Sequence, residues 1–201
     1  MKMKAILIII LFCSSCVILV DKVNFIDSKD TDKIRFNGYY FYSLGMPKYE
    51  RDSISKDNKT KTIYNNIVPI VFYKNGLVFY KRRGITEKQK YTDKGPYSSL
   101  PHNELNNYWT SINEHSCKTK KDLVGWGNYY IKGDSLIIDY YDYKFQYPGW
   151  TSNKLSLNRV YGEIINDSII QININENLTQ KLYFKENSNI PDSEKFRNKM
   201  K

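Results

Sequence analysis

The side chains with the most chemical capacity gather around one stretch. His102 and His115 are the only two histidines, and Glu114 and Cys117 flank the second. His115-x-Cys117 offers two metal ligands, and His102 a third. Zinc sites, however, pair ligands two to four residues apart in both halves, and no second pair exists here. The same cysteine and histidine form a nucleophile and base on paper, but neighbours on a turn lack the oriented base and third group that activation requires. Asp139 and Asp142 lie three apart in a strand-like segment, so they point to opposite faces and form no dyad. Glu163 pairs with Arg159 or Tyr161 on its own face as readily as with a substrate. No glycine-rich phosphate loop is present. The expectation is a non-catalytic chain with no metal and no cofactor.

Aromatic side chains carry the remaining functional signal. The run Tyr140-Tyr141-Asp142-Tyr143-Lys144-Phe145-Gln146-Tyr147-Pro148-Gly149-Trp150 is dense in rings, and the chain holds 18 tyrosines in all. Small barrels enclose apolar pockets, and aromatic walls with a few hydroxyls suit an amphipathic ligand. Tyr40, Trp126, Tyr130, Tyr140, Tyr143 and Trp150 are therefore the candidate ligand-binding residues. In the competing reading the rings fill a barrel, and those on the other face form a protein-binding patch.

The elements that would position these residues are strands. Phe36, Tyr40, Tyr42 and Leu44 alternate with Asn37, Tyr39, Phe41 and Ser43. Ile67 to Tyr73 resumes a strand, with Pro69 marking an edge or an irregular start. Asn75-Gly76, Gly133-Asp134 and Asn166-Asp167 each sit between apolar runs, and these residue types tolerate the positive φ of tight hairpin turns. Ile170, Ile172 and Ile174 alternate with polar residues, and Leu182 and Phe184 point inward from a last strand. One segment breaks the period of two. Leu105, Tyr108, Trp109 and Ile112 form the stripe of an amphipathic helix, capped by Asn103 and ending near His115. The fold class expected is mainly β: an antiparallel meander of about eight strands closing as a barrel, because closure hides the edges. The helix is inserted mid-chain and covers an opening or an edge.

With 201 residues, a single domain is the natural reading. The net charge is +10, with basic clusters at Lys81 to Lys90 and Glu194 to Lys201. No nucleic-acid motif accompanies them, so they read as a solvated loop and a basic tail, with no nucleic-acid partner. Of the three cysteines only Cys117 lies in the body, which excludes an internal disulfide framework there.

Lys2 and Lys4 precede the apolar run Ala5 to Phe12, and Ser14 and Ser15 then precede Cys16, the layout of an export signal. A membrane span from Ala5 to Val20 is the alternative, but its 16 positions fall short of the roughly 20 needed. Leu11-Phe12-Cys13-Ser14-Ser15-Cys16 resembles the lipobox of bacterial lipoproteins. That resemblance implies cleavage after Ser15 and lipidation of Cys16. It divides the chain into a signal peptide (1–15), a lipidated N-terminus and tether (16–33), a barrel domain (34–187) and a basic C-terminal tail (188–201).

The segments Phe36-Asn37-Gly38-Tyr39-Tyr40, Phe72-Tyr73-Lys74-Asn75-Gly76, Trp126 to Asp134 and Gly162 to Asp167 make the body similar to the lipocalin-like proteins that Bacteroidetes-type bacteria export as small lipoproteins. The two resemblances imply an address on the extracytoplasmic side of a membrane in the cell envelope. The expected partners are the membrane itself and a small hydrophobic ligand or envelope component. The alternative is a protein-interaction module: an inhibitor, immunity or assembly factor using exposed aromatic residues.

Overall fold

The computed structural model describes residues 31–45, 61–91, 102–114, 120–145, 151–194 and 196–197. The lipobox with Cys16, the pair His115 and Cys117, and Trp150 lie outside the described residues. Nine strands follow in order: β1 (Gly38–Gly45), β2 (Lys61–Phe72), β3 (Leu77–Tyr80), β4 (Ile85–Tyr91), β5 (Trp126–Lys132), β6 (Ser135–Phe145), β7 (Thr151–Asn166), β8 (Ile169–Asn175) and β9 (Leu178–Glu186). One helix, α1 (Asn103–Glu114), enters between β4 and β5. Among the described residues no helix is long and apolar enough to cross a membrane.

Every pairing is antiparallel, and the ring closes because β1 bonds to strands on both sides. Tyr40 stands opposite Ile70 of β2 and opposite Phe184 of β9. Eight strands complete the barrel, as the alternation and turn chemistry predict. The ninth, β4, runs on from β3 along the same edge of β2. The sequence reading placed only a solvated basic loop there, since Lys88, Gln89 and Lys90 show no apolar alternation. The expected turns form the hairpins β2–β3, β5–β6 and β7–β8. Gly76 holds φ at 82°, which a side-chain-bearing residue adopts only with strain.

Alternation sorts the rings into two cores. Tyr40, Tyr42, Phe72, Tyr80, Tyr129 and Tyr140 fill the barrel interior together with Val, Ile and Leu side chains from every barrel strand except β1. Phe72 packs edge-on against Tyr40 at 5.6 Å and Tyr129 at 5.0 Å, and Tyr80 meets Tyr140 at 4.8 Å. Tyr39, Phe41, Val71, Phe79, Trp126 and Tyr141 point the other way, onto the outer wall, where they bury a second core. Leu105 and Trp109 of α1 cover this second core, along with Leu123 and Phe196. The helix therefore covers a broad apolar face of the wall, which explains why β1 and β2 are greasy on both sides. The terminal segment that reads as a basic tail also lies on this wall. Phe196 is buried, and Tyr73 donates its hydroxyl hydrogen bond to the Pro191 carbonyl at 2.7 Å.

The start of α1 is held from β4. The Glu87 carboxylate accepts the backbone N–H groups of Glu104 at 3.1 Å and Leu105 at 2.7 Å. These are two of the four donors that a helix leaves unpaired at its N-terminus, and the negative charge faces the positive end of the dipole. Asn103, the cap expected from sequence, is instead the first helical residue, and the His102 carbonyl accepts the first intrahelical bond, from Asn106. Glu87 is 1% exposed, so truncating it strands two donors away from water. Glu87→Ala is expected to cost about 1–3 kcal/mol in urea unfolding. Glu87→Gln, which keeps one acceptor, should recover part of that loss.

Candidate functional site

Three of the predicted ligand-binding residues come together in one cavity. It has a volume of about 390 Å³, at the small end of the range of small-molecule sites, and Trp126, Tyr140 and Tyr143 help to line it. It sits at the rim of the barrel, where β3 ends, β5 begins and β6 runs on past both. Gly125 makes the corner. Its N–H donates to the Tyr141 carbonyl at 2.7 Å, while its own carbonyl accepts from Tyr80 N–H at 2.7 Å. A φ of 88° and a Phe79 ring carbon only 3.1 Å from where a Cβ would stand explain why glycine occupies this position.

The floor and outer wall of the cleft are aromatic. Trp126 is 1% exposed and stacks with Phe196 at 4.0 Å and with Tyr73 at 5.7 Å. Phe79 packs against Trp126 at 5.0 Å. Tyr108 and Ile112, from the half-buried side of α1, close the opposite side. The rim is charged. Lys81 places its ammonium 4.8 Å from the Tyr108 ring centre, a cation–π contact. Arg82 reaches to 4.0 Å from the Asp142 carboxylate and also hydrogen-bonds Tyr140. Burial pushes the Tyr140 phenol up to about 12, with the Arg82 charge acting in the opposite direction. Tyr140 is therefore a neutral hydroxyl at physiological pH.

The other predicted residues lie elsewhere, and alternation along the strands explains why. Tyr40 belongs to the filled interior: its hydroxyl donates to the Asp167 carbonyl and accepts from Arg35 N–H at 2.9 Å. Tyr130 points outward from β5 but sits in a polar network away from the cleft, hydrogen-bonded to Asn128 and close to Asp139 and Arg159. In that network Arg159 grips Asp139 through two bonds of 2.6 and 2.7 Å. Asp139 and Asp142 do face opposite sides of β6. Tyr161, not Glu163, is the further hydrogen-bond partner of Arg159.

A second cavity, of about 650 Å³, opens beside the start of α1 and is lined in part by Tyr39, His102, Asn106 and Lys185. His102 flanks the helix as expected from sequence, yet it is 2% exposed rather than on the surface. The Tyr39 hydroxyl lies 2.6 Å from its Nδ1, and Phe41 packs edge-on at 4.8 Å. Burial and the Lys185 charge lower the imidazole to about 4. The ring is therefore neutral at physiological pH and shares this hydrogen bond with Tyr39. Around it the polar groups satisfy one another. Asn37 donates to Glu186 at 2.8 Å and Asn187 to Asn106 at 2.7 Å. These bonds already engage several of the side chains that line the cavity.

Among the described residues no group of three or more His, Cys, Asp or Glu side chains is placed to hold a metal. The rim cleft joins an aromatic floor to a charged edge. No family model, curated protein or solved structure matches the chain. The site must be read from its own geometry. Sequence reasoning missed Phe79, Tyr108, Phe196 and the cations Lys81, Arg82 and Arg83. The cations were visible as a cluster, but only the fold brings them beside the aromatic wall.

Proposed function

We propose that the chain is a membrane-anchored, extracytoplasmic lipoprotein that acts as a non-catalytic binding protein for a small hydrophobic molecule or envelope component. The observation that carries this reading is the aromatic cleft of about 390 Å³ on the rim of a barrel whose interior is already filled. A folded body with one shaped apolar recess is what a small-molecule carrier or sensor needs. The anchor rests on the Cys16 lipobox. Native mass spectrometry of the full chain released from nanodiscs tests the binding role. A copurified small molecule supports it, and a chain that stays empty while capturing one envelope protein contradicts it. For the anchor, Cys16→Ala should abolish the acylated mass and membrane association. A variant that stays membrane-bound with Met1 intact would make the leader a span.

A protein-interaction role is the second reading, favoured by a separate observation. Tyr161 and Ile165 of β7 and Tyr183 of β9 are 54%, 49% and 52% exposed. All three point outward from the wall, which would suit contact with another protein.

A further inference from the structure

The charge around the cleft deepens the proposed function and rests on it: we infer that the ligand is a small aromatic anion, an aryl carboxylate or sulfonate, and not a neutral or cationic amphiphile. Three consecutive residues, Lys81, Arg82 and Arg83, supply cations to the lining, against the two carboxylates Asp122 and Asp142, which leaves an excess of one positive charge. Asp142 and Arg82 also differ in placement. Asp142 is 5% exposed and accepts the backbone N–H of Tyr143 at 2.8 Å, so part of its charge is satisfied inside the wall. The Arg82 side chain is 49% exposed and stands at the mouth. At 4.0 Å the Arg82–Asp142 contact is an ion pair beyond hydrogen-bond length. With one bond to Tyr140, the planar guanidinium keeps donors for a two-pronged grip on a carboxylate or sulfonate.

The apolar half of the site selects a ring. Trp126, Phe79 and Phe196 form a rigid floor of mutually packed rings, and the half-exposed Tyr108 and Tyr143 offer faces on either side. Flat walls that cannot rearrange favour offset or edge-on stacking with another aromatic ring over a flexible chain. Lys81, over Tyr108, would stand beside the bound ring while Arg82 met its acidic group.

Three probes that share a naphthyl ring test this by titration calorimetry with the full chain in zwitterionic nanodiscs, using empty discs as the blank: 2-naphthoate, 2-naphthamide and 2-naphthylmethylammonium. The expected result is that naphthoate binds about tenfold more tightly than the amide, the gain of a charge-assisted hydrogen bond, and that the ammonium probe is the weakest. Arg82→Gln, at an exposed position, should remove most of the preference for naphthoate over the amide. Lys81→Gln, tested separately, should reduce that preference by a smaller factor. Equal affinity for naphthoate and the amide overturns the anion inference and leaves the cleft as a binding site. Tightest binding of the ammonium probe also overturns it and assigns the charge preference to Asp122 and Asp142. If none of the three binds, the cleft itself is not the ligand site and both readings fall.

Discussion

Trp109→Ala should destabilise the protein by about 3–5 kcal/mol, the cost of emptying a fully buried aromatic site. Trp109 is the centre of the contact between α1 and the barrel, with its ring 6.1 Å from Tyr39 and 5.8 Å from Phe79, and it is 0% exposed. Trp109 is the largest side chain that α1 buries against the wall, so its removal should also loosen Tyr108 and Ile112 at the cleft. One detail makes the prediction sharper. The indole N–H of Trp109 is buried without a hydrogen-bond partner among the described residues. Trp109→Phe therefore loses volume but also removes an unsatisfied donor, which offsets about 1–3 kcal/mol. The phenylalanine variant should retain most of the wild-type stability, and ligand binding with it. Urea denaturation of both variants checks this, and a loss in Trp109→Phe as large as that in Trp109→Ala would contradict it.

Acid should weaken the fold through His102. In the unfolded chain the imidazole titrates near its ordinary 6.5, whereas in the fold burial and Lys185 lower it to about 4. Between those values the unfolded chain binds the extra proton, so stability rises with pH across this window. It is fully present above about 6.5 and is lost as pH falls toward 4, to a total of up to about 3 kcal/mol. Protonation would also make Nδ1 a donor facing the Tyr39 hydroxyl, whose own pKa is raised by burial and by Glu87. His102 lies at the cap of α1, so the acid loss should appear first as fraying of that helix. The comparison that isolates His102 is the difference in stability between wild type and His102→Gln from pH 7 to pH 4, which should narrow as pH falls. Parallel curves for the two proteins would show that the buried imidazole is not responsible.

The parts of this architecture that were legible in the sequence are those set by short-range chemistry. Asn75-Gly76, Gly133-Asp134 and Asn166-Asp167 specify turns within four residues, so the hairpins could be placed. Leu105, Tyr108, Trp109 and Ile112 specify a helix by their spacing, and the bounds Asn103–Glu114 follow closely. Strand β4 was not legible, because Ile85–Tyr91 takes its place from pairing with β2 and not from its own pattern. Glu87 could not be recognised as the cap of a helix that begins sixteen positions later, since that contact exists only once the strand has docked. The predicted ligand set divided for a related reason. Alternation tells which aromatic residues share a face, and it correctly separates Tyr140 from Tyr141 and Tyr143. It does not tell that part of the outer wall would be roofed by α1 and by Phe196, and so which rings would border a cleft. Tyr130 and Trp126 share a face of β5, yet only Trp126 lies under that roof.

Binding at the rim cleft, and not inside the barrel, is tested by photolabelling the full chain with 2-azidonaphthalene and mapping the labelled peptides by mass. Adducts are expected at Tyr108 to Ile112, at Tyr143 and at Phe196, all suppressed by excess 2-naphthamide. Adducts concentrated on Tyr40, Phe72 and Tyr129 would contradict it and would place the ligand in the interior that these rings now fill.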